Sequence, residues 1–131
     1  MGLAKTPDLF RCGISFAGAT DLVKLRIYRS KFVGAKIFDE EVGDDISQLK
    51  TTSPTTLAAN IKAPLLLIQG DKDRNVPLGQ ARAMVKALKK NAIEHQYIEI
   101  KQGDHYLTKQ QHRTQVLKAM DTFLAEHLPV N

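Results

Sequence analysis

Apolar residues gather in three short runs, separated by stretches with a helical period. The first run is Cys12-Gly13-Ile14-Ser15-Phe16-Ala17-Gly18, whose glycines and alanine suit a strand closely approached by other backbone. The second, Leu65 to Ile68, is continuously apolar, as in a strand buried on both faces. The third, Gln96 to Ile100, alternates more and fits a position nearer a sheet edge. Between the second and third, Leu78, Ala81, Met84, Val85 and Leu88 recur at three- and four-residue steps, predicting a helix over Pro77 to Asn91 that lies against the sheet. Pro77 suits its first turn and Asn91 its end. A last helix is predicted from about Lys109 to His127, with Val116, Leu117, Met120, Phe123 and Leu124 on its inner side and Pro129 closing it. Apolar runs alternating with helices are the pattern of a parallel sheet covered by helices. The expected fold is therefore α/β: a three-layer sandwich with at least three parallel strands, one unit over residues 1–131.

Residues 19 to 60 are less regular. Asp21 to Leu25 and Gly34 to Glu41 carry weak helical signals between charged turns, and Ser53-Pro54 reads as a helix start, with Ser53 as N-cap and Pro54 in the first position. Met1 to Lys5 resembles the tail of a helix already under way. No repeat, low-complexity tract or linker interrupts the chain.

Composition narrows the function classes. Nineteen Lys and Arg against fourteen Asp and Glu leave a formal charge of +5. Arg82, Lys86, Lys89 and Lys90 sit along the helix after the second run, as on a solvated face. With aromatics at 6% and no tryptophan, nothing suggests a nucleic-acid footprint. No run of eighteen apolar residues predicts a membrane span. The single cysteine, Cys12, permits no internal disulfide, leaves the compartment open, and is expected to be a small buried residue.

Two residues carry candidate chemistry. Asp73 closes the turn Gly70-Asp71-Lys72-Asp73 just after the second run, and His105 follows Gly103-Asp104 just after the third. Loops at the carboxyl ends of adjacent parallel strands meet at one end of the sheet, where open α/β sheets usually place their sites. An acid there can hold a histidine in one tautomer while the histidine moves protons. Asp73 in isolation is equally a turn former. Asp71-Lys72-Asp73-Arg74-Asn75 also begins like a calcium loop, but such a loop needs Gly and Glu where Val76 and Arg82 stand. No metal and no cofactor is expected. The other histidines, His95, His112 and His127, are expected at the surface.

A nucleophile is lacking. The serines are Ser15, Ser30, Ser47 and Ser53, and none lies in a Gly-x-Ser-x-Gly elbow. Ser15 sits inside an apolar strand rather than on a sharp strand-to-helix turn, and Cys12 has no electropositive loop around it.

These segments together resemble the carboxyl-terminal portion of a prolyl oligopeptidase family catalytic domain, an α/β-hydrolase, over essentially the whole chain. The resemblance runs through Met1 to Cys12, Ser53-Pro54, Lys62 to Gly70, the acid loop Asp71-Lys72-Asp73-Arg74-Asn75-Val76-Pro77 and the histidine loop Gly103-Asp104-His105. It implies a serine peptidase acting on short peptides, with Asp73 as orienter and His105 as acid and base. It also implies a serine in a Gly-x-Ser-x-Gly-Gly segment about a helix's length before Met1, so this chain alone is expected to be inactive. The same loops serve esterase-like α/β-hydrolases, and a short non-catalytic, self-associating module is the alternative from another class. The strand at Cys12 to Gly18 is expected to have an unpaired edge and to promote self-association.

Overall fold

The structure, a computed structural model, describes residues 1–129. Its centre is a parallel sheet of β1 (Gly13–Phe16), β2 (Leu65–Gly70) and β3 (His95–Ile100) in that spatial order. All six residues of β2 are buried, which explains its unbroken apolar run. Register places Leu66 between Ile14 and Gln96, and Gly70 opposite Ile100.

The two-residue period of the strands divides the core. Leu65 and Leu67 face a cluster with Ala4, Ala58, Ile61, Met84 and Leu88. Leu66 and Ile68 face the opposite cluster, with Ile100, Val116 and Phe123. Thus α1 (Gly2–Lys5), a 3-10 turn (Ala58–Asn60) and α5 (Gly79–Lys90) cover one face, and α6 (Gln110–His127) covers the other. Each fully buried Leu, Ile or Phe contributes about 2 kcal/mol by leaving water.

Between β1 and β2 the chain forms α2 (Leu22–Arg29), α3 (Ala35–Val42) and α4 (Ile46–Thr52). The Asp21 carboxylate caps α2 by accepting from the Lys24 amide, and Asp45 caps α4 by accepting from Ser47 and Gln48. A bidentate pair, Arg26 Nε and Nη2 to the Asp39 carboxylate at 2.7 and 2.8 Å, ties α2 to α3. The loop after β1 is anchored to α5 by buried Gln80. Its Oε1 accepts from the Thr20 and Asp21 amides, its Nε2 donates to the Asp21 carbonyl, and its own carbonyl accepts from Thr20 Oγ1. Loss of this carboxamide would strand two backbone donors, a cost of about 2 kcal/mol.

Several local expectations change. No helix starts at Ser53: its Oγ donates to the Leu49 carbonyl and accepts from the Leu22 amide, closing α4 instead. Pro77 precedes α5 rather than opening it, with its carbonyl accepting from the Gln80 amide. The inner stripe of α6 runs through His112, Val116 and Phe123, so Leu117 is 65% exposed and Leu124 is exposed as well. His112, expected at the surface, is only 4% exposed, and its Nδ1 has no partner among the described residues. Cys12 is half-buried rather than buried because β1 lies at the sheet edge. Arg82, Lys86, Lys89 and Lys90 are all exposed. Arg82 also meets Glu99, whose carboxyl is held below its usual range, chiefly by that guanidinium and then by Tyr97.

Candidate active site

The acid loop and the histidine loop leave the carboxyl ends of β2 and β3 and are bonded backbone to backbone. The Asp71 amide donates to the Ile100 carbonyl and the Lys72 amide to the Gly103 carbonyl, at 3.2 and 2.9 Å. The Gln102 amide returns a bond to Asp71 Oδ1 at 2.7 Å. Such closeness requires glycine at Gly70, where a Cβ would overlap the Gly103 carbonyl, its carbon only 2.7 Å away. It also requires glycine at Gly103, where a Cβ would stand 2.8 Å from Ile100 Cγ2. These two small residues let the loops approach until their side chains meet.

What meets is Asp73 and His105. His105 Nδ1 lies 2.8 Å from Asp73 Oδ2. The Asp73 side chain is 0% exposed and that of His105 is 30% exposed. Three further bonds orient the acid: the Asn75 and Val76 amides donate to Oδ1 at 2.8 Å each, and Gln69 Nε2 donates to Oδ2 at 2.9 Å. A carboxylate can only accept, so Nδ1 carries the proton of a neutral ring and Nε2 is left with its lone pair. An imidazole with one nitrogen bonded to a buried acid can take a proton on the other and return it. Both Asp73 oxygens are committed, Oδ1 to two backbone amides and Oδ2 to Gln69 and His105. Among the described residues no group of three or more His, Cys, Asp or Glu could hold a metal.

The histidine loop is itself braced. Asp104 accepts from the Tyr106 and Thr108 amides, and hydrogen bonding by Thr108, from its side chain first and then its backbone, holds its carboxyl below the usual range. Arg113 Nη1 donates to the Leu107 and Thr108 carbonyls, fastening the loop to α6. Leu107 adopts a left-handed φ of 51°, a strained conformation kept by these surrounding bonds.

Two contributors escaped the sequence reading. Gln69 is fully buried on β2 and also donates Nε2 to the Val76 carbonyl at 2.9 Å. Its signal was visible: a polar residue within an apolar strand, four positions before the acid. Tyr106 is 79% exposed, sets its ring edge-on to His105 at 5.2 Å, and accepts from Asn75 Nδ2. No serine of this chain hydrogen-bonds to His105 among the described residues. Ser15 lines a cavity with Leu3, Thr20 and Met84, distinct from the cleft that His105 lines. The remaining histidines stay apart from Asp73: His95 Nδ1 meets the Ile93 carbonyl, and His127 packs on Phe123.

The profile of the prolyl oligopeptidase family matches residues 1–130. The chain belongs to that family. Dipeptidyl peptidase family member 6 of Caenorhabditis elegans is 30% identical over 139 residues, covering 98% of this chain and 18% of the relative. Dipeptidyl aminopeptidase BIII of Pseudoxanthomonas mexicana is 28% identical, covering 97% and 19%. Among solved structures, the acylaminoacyl peptidase of Pyrococcus horikoshii superposes with a TM-score of 0.87 at 28% identity, covering 98% of this chain and 22% of its own. This prolyl oligopeptidase family chain thus spans about a fifth of the length of such relatives, and its three parallel strands with flanking helices are part of an α/β-hydrolase fold.

Proposed function

We propose that Asp73 and His105 are the orienter and the general acid-base of a Ser-His-Asp peptidase whose serine lies in polypeptide outside these 131 residues. The observation that carries this reading is the 2.8 Å contact from His105 Nδ1 to the buried, fourfold-bonded Asp73 carboxylate. In the proposed reaction, Nε2 takes the proton from the serine hydroxyl as its oxygen attacks the scissile carbonyl. The resulting imidazolium gives that proton to the leaving amine, and Asp73 stabilises the transient charge. In the second half, Nε2 takes a proton from water as its oxygen attacks the acyl group, and returns that proton to the serine oxygen as the ester bond breaks. Without the serine no acyl-enzyme forms, so the chain alone performs neither step.

Short peptides are the proposed substrates, in keeping with the aminopeptidase, dipeptidyl peptidase and acylaminoacyl peptidase relatives. A polypeptide uniting this chain with the nucleophile should cleave short peptide amides and lose at least about 10⁴-fold in kcat/KM on His105→Ala. Ester hydrolysis with no peptide cleavage would contradict the peptidase reading.

In isolation the chain is expected to pair with a second copy through β1. The Gly13 and Ala17 amides donate to Pro64 and Ile68 on the β2 side, so alternation turns the Ile14 and Phe16 amides to the free edge. Twofold symmetry would join two such edges antiparallel, while Ile14, Phe16 and Met120 remain only partly buried beside them. Light scattering should therefore report dimers or larger species, and a monodisperse monomer would refute the pairing.

A further inference from the structure

Three residues after the ion-paired Arg26, the same helix presents a second guanidinium that is not committed. Arg29 makes no ion pair and no side-chain hydrogen bond among the described residues. It is half-buried, with its guanidinium carbon 5.9 Å from the centre of the Phe38 ring. Arg29 and Phe38 line a cleft of about 350 Å³ together with His105 and Tyr106. Leu25, Asn75 and Val76 complete its lining, and no carboxylate is among the lining residues.

We infer that Arg29 makes this cleft a carboxylate subsite, selecting an acidic residue next to the scissile bond. The inference rests on the proposed roles of His105 and Asp73, since those roles bring the reacting carbonyl to this cleft. Three features argue for it. A guanidinium presents a planar fork of donors that matches a carboxylate bidentately, and this fork has no partner among the described residues. The ring of Phe38 holds the cation from one face, which limits the freedom lost when it binds an anion. Leu25, Val76 and the rings of Phe38 and Tyr106 offer apolar contact for the methylenes of a glutamate side chain. Arg26, by contrast, cannot serve, because Asp39 already fills its fork.

A carboxylate can come from an acidic side chain or from a free peptide terminus, so three probes separate the sources. They are N-acetylglutamyl amide, N-acetylglutamine and N-acetylglutaminyl amide, titrated into the isotope-labelled 131-residue chain while the NMR signals of His105 and Arg29 are followed. The glutamyl amide is expected to bind about tenfold more tightly than the glutaminyl amide, a modest factor because the cleft is open to solvent. Arg29→Gln should abolish that difference while leaving the rest of the spectrum in place. Discrimination confined to N-acetylglutamine would overturn the side-chain assignment and give the subsite to a chain terminus. Equal binding of all three probes, no binding, or a preference that survives Arg29→Gln would overturn the subsite altogether. Because the readout is binding, a longer polypeptide that fails to cleave peptides would refute the proposed function and leave this result standing.

Discussion

Exchanging Asp73 for asparagine is expected to lower kcat/KM of the nucleophile-bearing polypeptide by about 10⁴-fold. The size follows from what the carboxylate does. Oδ1 accepts from the Asn75 and Val76 amides, and an asparagine oxygen can still do so. The amide nitrogen then replaces Oδ2 and confronts two donors, Gln69 Nε2 and His105 Nδ1. The conflict resolves most easily if the imidazole moves its proton to Nε2, so that Nδ1 becomes the acceptor. The nitrogen facing the serine then has no lone pair for its proton. The loop retains its amide bonds, so the defect should fall on turnover with little loss of thermal stability. Steady-state kinetics beside a melting curve would check both halves, and an unchanged kcat/KM would remove Asp73 from the mechanism.

Gly70→Ala should act through the fold instead. Its methyl group would collide with the Gly103 carbonyl, and the crowded atoms are backbone that cannot turn aside. Relief requires the two loops to separate, breaking the Lys72-to-Gly103 bond and drawing His105 away from Asp73. Overpacking of this severity costs about 3 kcal/mol, which lowers the melting temperature by about 10 °C for a chain of this size. Activity should fall with it. A variant that melts like the parent would mean that the loops tolerate a wider gap and that their close approach is not needed.

Asp73 and His105 were legible because their signals are local: each follows an apolar strand, in a turn rich in Gly and Asp, and parallel topology does the rest. The strands β2 and β3 and helix α5 were legible for the same reason, since burial imposes a period on neighbouring residues. Helix α4 was harder to see, because Leu49 is its only buried residue and leaves no stripe to read. Its signal lay instead in Asp45 and Gln48, the pattern of a capping box. Gln80 was invisible for another reason. Its partners lie 59 and 60 positions earlier, on a loop whose placement is purely tertiary. His112 illustrates the limit of residue type as a guide, for a histidine on the inner stripe of α6 is buried like the apolar residues beside it. The cleft at Arg29 depends on α2 and α3, two short helices whose position over the acid loop follows from packing and from bonds such as Tyr28 Oη to the Arg74 carbonyl.

On the proposed reading this chain holds two members of a triad, and the third lies outside these 131 residues. Fluorophosphonate labelling with intact-mass readout tests it directly. The folded 131-residue chain should gain no mass, whereas a polypeptide uniting it with the nucleophile should gain one adduct, on a serine outside these residues. Stoichiometric labelling of the chain alone, at Ser15 or any other serine, would contradict a triad completed from outside these residues.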